Sequence, residues 1–289
     1  FYIVILQKLH SLSLVLEKST LRLFFAVFVT IKMTTFLLFG VLSCPTTASP
    51  TPTNVNGESL SRILVVTGYG DGGSTKKTEL WPKPESQCAL ADFPLEVVGS
   101  VGFWTAQGPM VCGGYRVSKC FLYKKTQWIP STSMQTVRSA ASAMQMTPNQ
   151  AIVIGGYYGN GNVLKTTELM TSTGSEEGED FPVKMYGHCS FKINGSLAMV
   201  TGGIQGWSYS ASTWFVDLTT KTVTPGPKMT ARSGHGCSTL QIGTKTFGIV
   251  AGGYTFNERK LDSTEIINLE EDSPTWTEGM QDKSKIVYI

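Results

Sequence analysis

The sequence predicts an all-β protein assembled from copies of one four-stranded unit. Three observations predict it. An apolar run ending in a glycine step recurs five times along the chain. A Thr-Glu pair and a tryptophan keep phase with that step. No long stretch carries apolar residues at the 3.6-residue period of a helix, whereas β-branched and apolar runs bounded by Gly, Asn and Pro are frequent.

The repeated step reads Ile63-Leu64-Val65-Val66-Thr67-Gly68, then Met110-Val111-Cys112-Gly113-Gly114, then Ile152-Val153-Ile154-Gly155-Gly156. It returns as Met199-Val200-Thr201-Gly202-Gly203 and Ile249-Val250-Ala251-Gly252-Gly253. The last glycines are 46, 42, 47 and 50 residues apart, a period of one supersecondary unit. Downstream come Thr78-Glu79-Leu80, Thr167-Glu168-Leu169 and Thr264-Glu265-Ile266, with Cys120-Phe121 and Thr213-Trp214 at the matching places. Trp128 and Trp276 follow, with Cys88 and Val223 where other units should carry Trp. Met134 to Arg138 matches Met229 to Arg232 before the next unit.

Each unit therefore reads as a small-residue strand (Ser139 to Met146; Ser233 to Ile242), the apolar strand with its glycines, a polar loop, the Thr-Glu strand and a Trp-bearing strand. The glycines have a physical reason. Where sheets taper toward a common axis, only a residue without Cβ permits close backbone approach and an unusual φ. The tryptophan supplies large apolar area between one sheet and the next. Four-stranded units of this length, arranged radially, make a β-propeller.

The apolar-Gly-Gly step, the aromatic several residues on and the later tryptophan resemble the Kelch motif over residues 60–280. The WD-repeat alternative lacks its Trp-Asp ends. Cys88, then Cys112-Gly113-Gly114 and Cys120, with Gly187-His188-Cys189 opening a later repeat, look like a secreted invertebrate branch of that family. Two departures stand out: Thr67-Gly68 in the first unit, and no late Trp in the third and fourth. Kelch propellers usually have six or seven blades, and five steps are present. Either a sixth unit is missing, or Lys285 to Ile289 completes the first blade, which has no small-residue strand before Ile63.

Domain organisation follows: 1–48 a leader, 49–62 a linker, and 63–289 the propeller. From Met33 the chain runs through Phe36 to Leu42 and on to Cys44, Thr46 and Ala48, the order of a signal peptide with cleavage near Ser49. A longer signal-anchor over Leu21 to Leu42 is the rival, interrupted by Lys32. Of 24 basic and 21 acidic residues, four basic and one acidic fall within 1–48, so the rest balances at twenty of each. A neutral domain without a basic stripe gives no reason to expect nucleic acid or an acidic membrane as partner. The expected location is extracellular.

Export makes disulfides the expectation for the cysteines. Cys112 and Cys120 flank a turn and are expected to pair across a hairpin. Cys189 and Cys237 recur at related places in adjacent units and are expected to pair near the axis; Cys88 stays unassigned. The alternative is a set of buried thiols. Asn194-Gly195-Ser196 is a glycosylation acceptor at a predicted hairpin turn.

Gly68-Tyr69-Gly70-Asp71-Gly72-Gly73 fits Gly-x-Gly-x-x-Gly after a strand. The pyrophosphate of a dinucleotide needs a helix N-terminus next. Ser74 to Pro84 has two prolines and no apolar face, so the dinucleotide reading fails and no cofactor is expected. His188 and His235 occupy related places, each expected to make a structural hydrogen bond, and no metal site is expected. The resemblance admits enzymes, including galactose oxidase and an epimerase of sialic acid. A copper site of the oxidase type needs two His, two Tyr and a crosslinked Cys, which no spacing here assembles.

The loops after the glycine steps should emerge on one face, carrying Tyr69, Tyr115, Tyr157, Tyr158, Trp207, Tyr209, Tyr254 and Phe256. Tyr115, Tyr157, Tyr158, Trp207 and Tyr254 are the candidate binding residues, because rigid scaffolds bind through loops and exposed Tyr and Trp anchor interfaces. Packing over the blade edges is their alternative role. In some Kelch proteins arginines near the pore bind acidic peptides, which makes Arg138 and Arg232 further candidates. An interblade hydrogen bond is the role expected of them. The function expected is a secreted, non-enzymatic scaffold for an extracellular protein or glycan. An extracellular enzyme of the galactose-oxidase type and an intracellular Kelch adaptor are the alternatives.

Overall fold

The structure, a computed structural model, describes residues 36–40, 62–70, 73–81 and 90–279. Cys44, Cys88, most of the leader, the linker residues 49–61 and residues 280–289 lie outside these. The first sheet holds β1 (Phe36–Gly40), β2 (Arg62–Gly70) and β3 (Gly73–Trp81). The second is a meander of β4 (Val101–Thr105), β5 (Gly108–Cys112), β6 (Cys120–Lys124) and β7 (Gln127–Ser131). The third has β8 (Ser142–Thr147) and β9 (Gln150–Ile154), then a small hairpin of β10 (Tyr157–Gly159) and β11 (Asn162–Val163), then β12 (Thr167–Met170) and β13 (Ser175–Glu177). The fourth repeats this with β14 (Cys189–Lys192), β15 (Leu197–Thr201), the hairpin β16 (Ile204–Gln205) and β17 (Ser208–Tyr209), then β18 (Thr213–Asp217) and β19 (Val223–Pro225). The fifth has β20 (Gly236–Ile242), β21 (Lys245–Ala251), the hairpin β22 (Tyr254–Thr255) and β23 (Arg259–Lys260), then β24 (Thr264–Asn268) and β25 (Trp276–Glu278). All strand pairing is antiparallel, and the chain is an all-β propeller.

The second strand is buried at four of its five positions in β5 and β15, and at its last four in β21, while β9 keeps Gln150 and Ile152 partly exposed. That is why these strands read as continuous apolar runs, whereas β4 and β8 alternate. One apolar cluster lies between the first and second sheets, where Phe93 meets Phe121 and Trp128 edge-on at 5.2 and 5.0 Å. Trp128 Nε1 also donates to Thr78 Oγ1 of the first sheet at 3.1 Å, so this tryptophan ties two sheets together as expected. Another cluster, with Met144, Ile154, Met185 and Val200, lies between the third and fourth.

The inner strands follow one another in the order β1, β4, β8, β14, β20. The small-residue strands begin three residues later than the sequence suggested. Just before each, the backbone turns through a left-handed residue: Gly99, Ala140, Gly187 and Gly234, with φ between 49° and 70°. These residues bond one another around the centre. Ala140 N donates to Gly99 O, Gly187 N to Ala140 O and Gly234 N to Gly187 O, at 2.7–2.8 Å. The innermost place in the first sheet, which the sequence left without a strand, is held by β1, with Phe36 opposite Val66, so residues from the apolar run read above as a signal peptide pair in the sheet instead of lying in a separate leader. Where a dinucleotide site would need a helix, β3 follows β2.

The glycine step performs both expected tasks, since the two glycines of every pair have positive φ. The first packs on the next sheet: a Cβ on Gly202 would stand 2.5 Å from Arg232 O and 2.7 Å from His235 Cε1. The first sheet shows how Thr67 is tolerated there. At φ 59°, its hydroxyl bonds Ser100 Oγ at 3.1 Å, so a serine occupies the place that holds histidine in the fourth and fifth sheets.

Candidate functional site

Both expected disulfides are formed. Cys112 and Cys120 are direct partners in the β5–β6 register, with Cα atoms 4.1 Å apart. Cys189 and Cys237 join β14 to β20, the inner strands of neighbouring sheets, with Cα atoms 6.0 Å apart. Asn194 is exposed in the tight turn between β14 and β15, where its Oδ1 accepts the N–H groups of Ser196 and Leu197 at 2.9 Å.

Arg138 and Arg232 are corrected by the structure. Their exposures of 1% and 0% leave nothing for a ligand to contact. Nor do their side chains bridge blades. Arg138 donates to Glu168 of β12, to Gly155 O and to Thr166 O and Oγ1, all within its own unit. Arg232 repeats the pattern with Glu265, Gly252 O and Ser263. Glu168 also accepts the Gln135 and Thr136 N–H groups, pinning the connection that enters the third sheet. A buried guanidinium is tolerable only when its donors and charge are met, and here they are. In the fourth sheet the arginine is Met185 and the glutamate is Trp214, so charge leaves as a pair.

His188 and His235 are fully buried at successive sheet junctions, and Thr201 Oγ1 lies 2.9 Å from His235 Nε2. Burial pulls the His188 pKa from 6.5 to about 3, and neither of its ring nitrogens has a hydrogen-bond partner among the described residues, so the structural hydrogen bond expected of it is not made. Burial, with the Arg232 charge nearby, holds His235 well below its usual value. A depressed histidine pKa means that the unfolded chain takes up the proton first. Stability is thus complete above pH 6.5 and falls as pH drops from 6.5 toward 3. At pH 5 one such group costs about 2 kcal/mol. Urea midpoints at pH 7 and pH 5 check this. His188→Ala, which copies the alanine that the third sheet carries at this place (Ala141), will show a shallower acid loss than the wild type. Among the described residues no group of three His, Cys, Asp or Glu is placed to hold a metal ion. No helix among them is long and apolar enough to cross a membrane.

The exposed aromatics are carried on the loops that follow the glycine steps, as expected. Tyr115 and Tyr158 are half exposed, and Arg116 stacks over the Tyr115 ring at 5.1 Å. Tyr157 and Tyr254 are only partly exposed: each is bridged to the start of its own unit, Tyr157 to Ser139 and Tyr254 to Ser233. Tyr157 also accepts the Gly161 N–H on its hydroxyl. Trp207 is 73% exposed and Phe256 59%. Trp207 sits at the tip of the β16–β17 hairpin, where Gly206 and Trp207 both have positive φ, as tight hairpins require. Its indole reaches the preceding hairpin, between β10 and β11, so that a Cβ on Gly161 would be 3.7 Å from Cζ2. Tyr209 and Phe256 stack edge-on at 5.8 Å, and Tyr157 meets Tyr186 at 5.6 Å. The aromatics of three consecutive hairpins thus form one ridge. Tyr186 had no signal in the sequence, because it lies in a connection rather than after a glycine step.

This architecture defines the class: a β-propeller. No family model matches the chain, and no curated protein matches it. Among solved structures 224 chains match. One is the structure of YjhT, a propeller-like protein 12% identical to this chain, with a TM-score of 0.61 over 75% of this chain and 81% of that one. At that identity the likeness shows the fold alone.

Proposed function

We propose that this chain is a secreted, non-enzymatic Kelch-type scaffold that binds an extracellular protein through the aromatic hairpin ridge. The observation that carries it is Trp207. A bulky side chain in left-handed backbone is strained, and this one buries almost nothing in its own fold. Such strain is retained where something else rewards it. Trp and Tyr on rigid hairpins make low-entropy anchors, and alanine at such an anchor costs about 2 kcal/mol or more. Export is supported by the two formed disulfides and by the exposure of Asn194, whose side chain stands on a turn that an oligosaccharide can leave freely.

The test is expression through a secretory pathway, followed by capture of partners from extracellular fluid. Wild type is compared with Trp207→Ala, Tyr158→Ala and a control, Ile129→Ala, on an exposed outer strand. Capture should fall about thirty-fold for Trp207→Ala and stay unchanged for Ile129→Ala, with sugar on Asn194. Equal capture by all variants sinks the ridge as the binding site. Loss of capture after the fluid is stripped of glycans assigns a carbohydrate ligand to the same surface.

A further inference from the structure

An asparagine followed by glycine can react with its own backbone, because glycine has no side chain to keep its nitrogen away from the neighbouring amide. Two such pairs lie among the described residues, Asn160-Gly161 and Asn194-Gly195, and both are exposed at hairpin turns. Their side chains differ. Asn194 Oδ1 accepts the N–H groups of Ser196 and Leu197 at 2.9 Å and the Ser196 hydroxyl at 3.3 Å. The Asn160 side chain makes no hydrogen bond among the described residues.

Their backbones differ as well. Asn194 closes the four-pair ladder of β14 and β15, and the N–H groups of Ile193 and Asn194 both donate to Leu197 O. Asn160 and Gly161 close the β10–β11 hairpin, whose two register pairs are separated by a shift. Their φ values of 51° and 83° are those of the two-residue turn that Asn-Gly favours. Gly161 N–H is held by one bond, to the Tyr157 hydroxyl at 3.0 Å. So short and exposed a ladder opens at little cost, and opening frees that nitrogen.

We propose that Asn160 is a site of spontaneous modification, converted to aspartate and isoaspartate through a cyclic imide with Gly161. The Gly161 nitrogen attacks Asn160 Cγ and gives its proton to a solvent base. As the N–Cγ bond forms, the Cγ–Nδ2 bond breaks, and ammonia leaves with a proton from water. A water molecule then adds to either carbonyl of the ring and reopens it. Opening at Cγ gives aspartate. Opening at the main-chain carbonyl gives isoaspartate, whose backbone is one methylene longer. Either product replaces a neutral amide with a carboxylate. The charge arrives beside Trp207, since a Cβ on Gly161 would be 3.7 and 3.8 Å from the indole Cζ2 and Cη2. Its effect on binding rests on the ridge reading above: charged groups are depleted at the centre of an interface, so conversion weakens capture.

The test is mass-spectrometric peptide mapping of the Ser196→Ala chain, whose Asn194 carries no sugar, held in mildly alkaline buffer. Asn160 should convert at least about tenfold faster than Asn194, the kinetic equivalent of the hydrogen bonds that tether the latter. Conversion of Asn160 no faster than that of Asn194 overturns the proposal. Asn160→Gly keeps a left-handed turn and removes the reacting amide. Aged wild type should capture about tenfold less partner from extracellular fluid than fresh protein, and aged Asn160→Gly as much as fresh. Conversion with undiminished capture, where capture does depend on Trp207, overturns the effect on binding. Capture indifferent to Trp207→Ala defeats the ridge reading instead, and the mapping still decides the modification.

Discussion

Replacing Arg138 by methionine will lower the free energy of unfolding by about 3–5 kcal/mol, the usual consequence of leaving one partner of a buried ion pair behind. Glu168 would keep its charge at 2% exposure and lose two of its five hydrogen bonds. The carbonyls of Gly155 and Thr166 would each lose a donor as well. The double variant Arg138→Met, Glu168→Gln removes the stranded charge while keeping an acceptor for one of the Gln135 and Thr136 amides. It should therefore be more stable than Arg138→Met alone. Urea unfolding of the four proteins in a double-mutant cycle measures the coupling. A loss below about 1 kcal/mol for Arg138→Met, typical of exposed pairs, would show that the pair is solvated. The fourth sheet, with Met185 and Trp214, shows that the architecture accepts an uncharged version of this place.

The two disulfides will separate in their effect on stability. Cys189 and Cys237 are 48 residues apart, Cys112 and Cys120 only 8. The loop-entropy relation gives about 4 kcal/mol for the long loop and about 2.5 kcal/mol for the short one. All four sulfurs are buried, so alanine at both positions of either pair carries a similar packing loss that cancels in the comparison. Cys189→Ala, Cys237→Ala should unfold at lower denaturant than Cys112→Ala, Cys120→Ala. The reverse order would mean that the link between the inner strands constrains little that sheet packing does not already hold. Because that link joins neighbouring sheets, its loss should also raise amide exchange at Gly234, which bonds the fourth sheet through Gly187 O.

Much of the fold was legible along the chain. Glycine pairs recur because both positions need positive φ and one of them must let the next sheet approach. Those demands are local, and they leave a mark that no other residue could satisfy as cheaply. The central strands likewise carry mostly apolar residues, buried at most of their positions. The candidate site was half legible. Aromatics after each glycine step were visible as a list. Their merging into one ridge depends on the hairpin turns, such as Gly206-Trp207, that bend each tip toward its neighbour.

The arginines show the opposite case. Arg138 and Arg232 stand in identical sequence contexts whether they reach into a pore or fold back on their own unit. A long side chain can take either course, and only the glutamate thirty-odd residues away settles which. The sequence by itself determined the unit, its period and the places where backbone must pass without a side chain, since these follow from one residue and its immediate neighbours. Tertiary structure alone decided which charges meet and which aromatics touch. Those depend on contacts between residues far apart in the chain, and no local pattern encodes them.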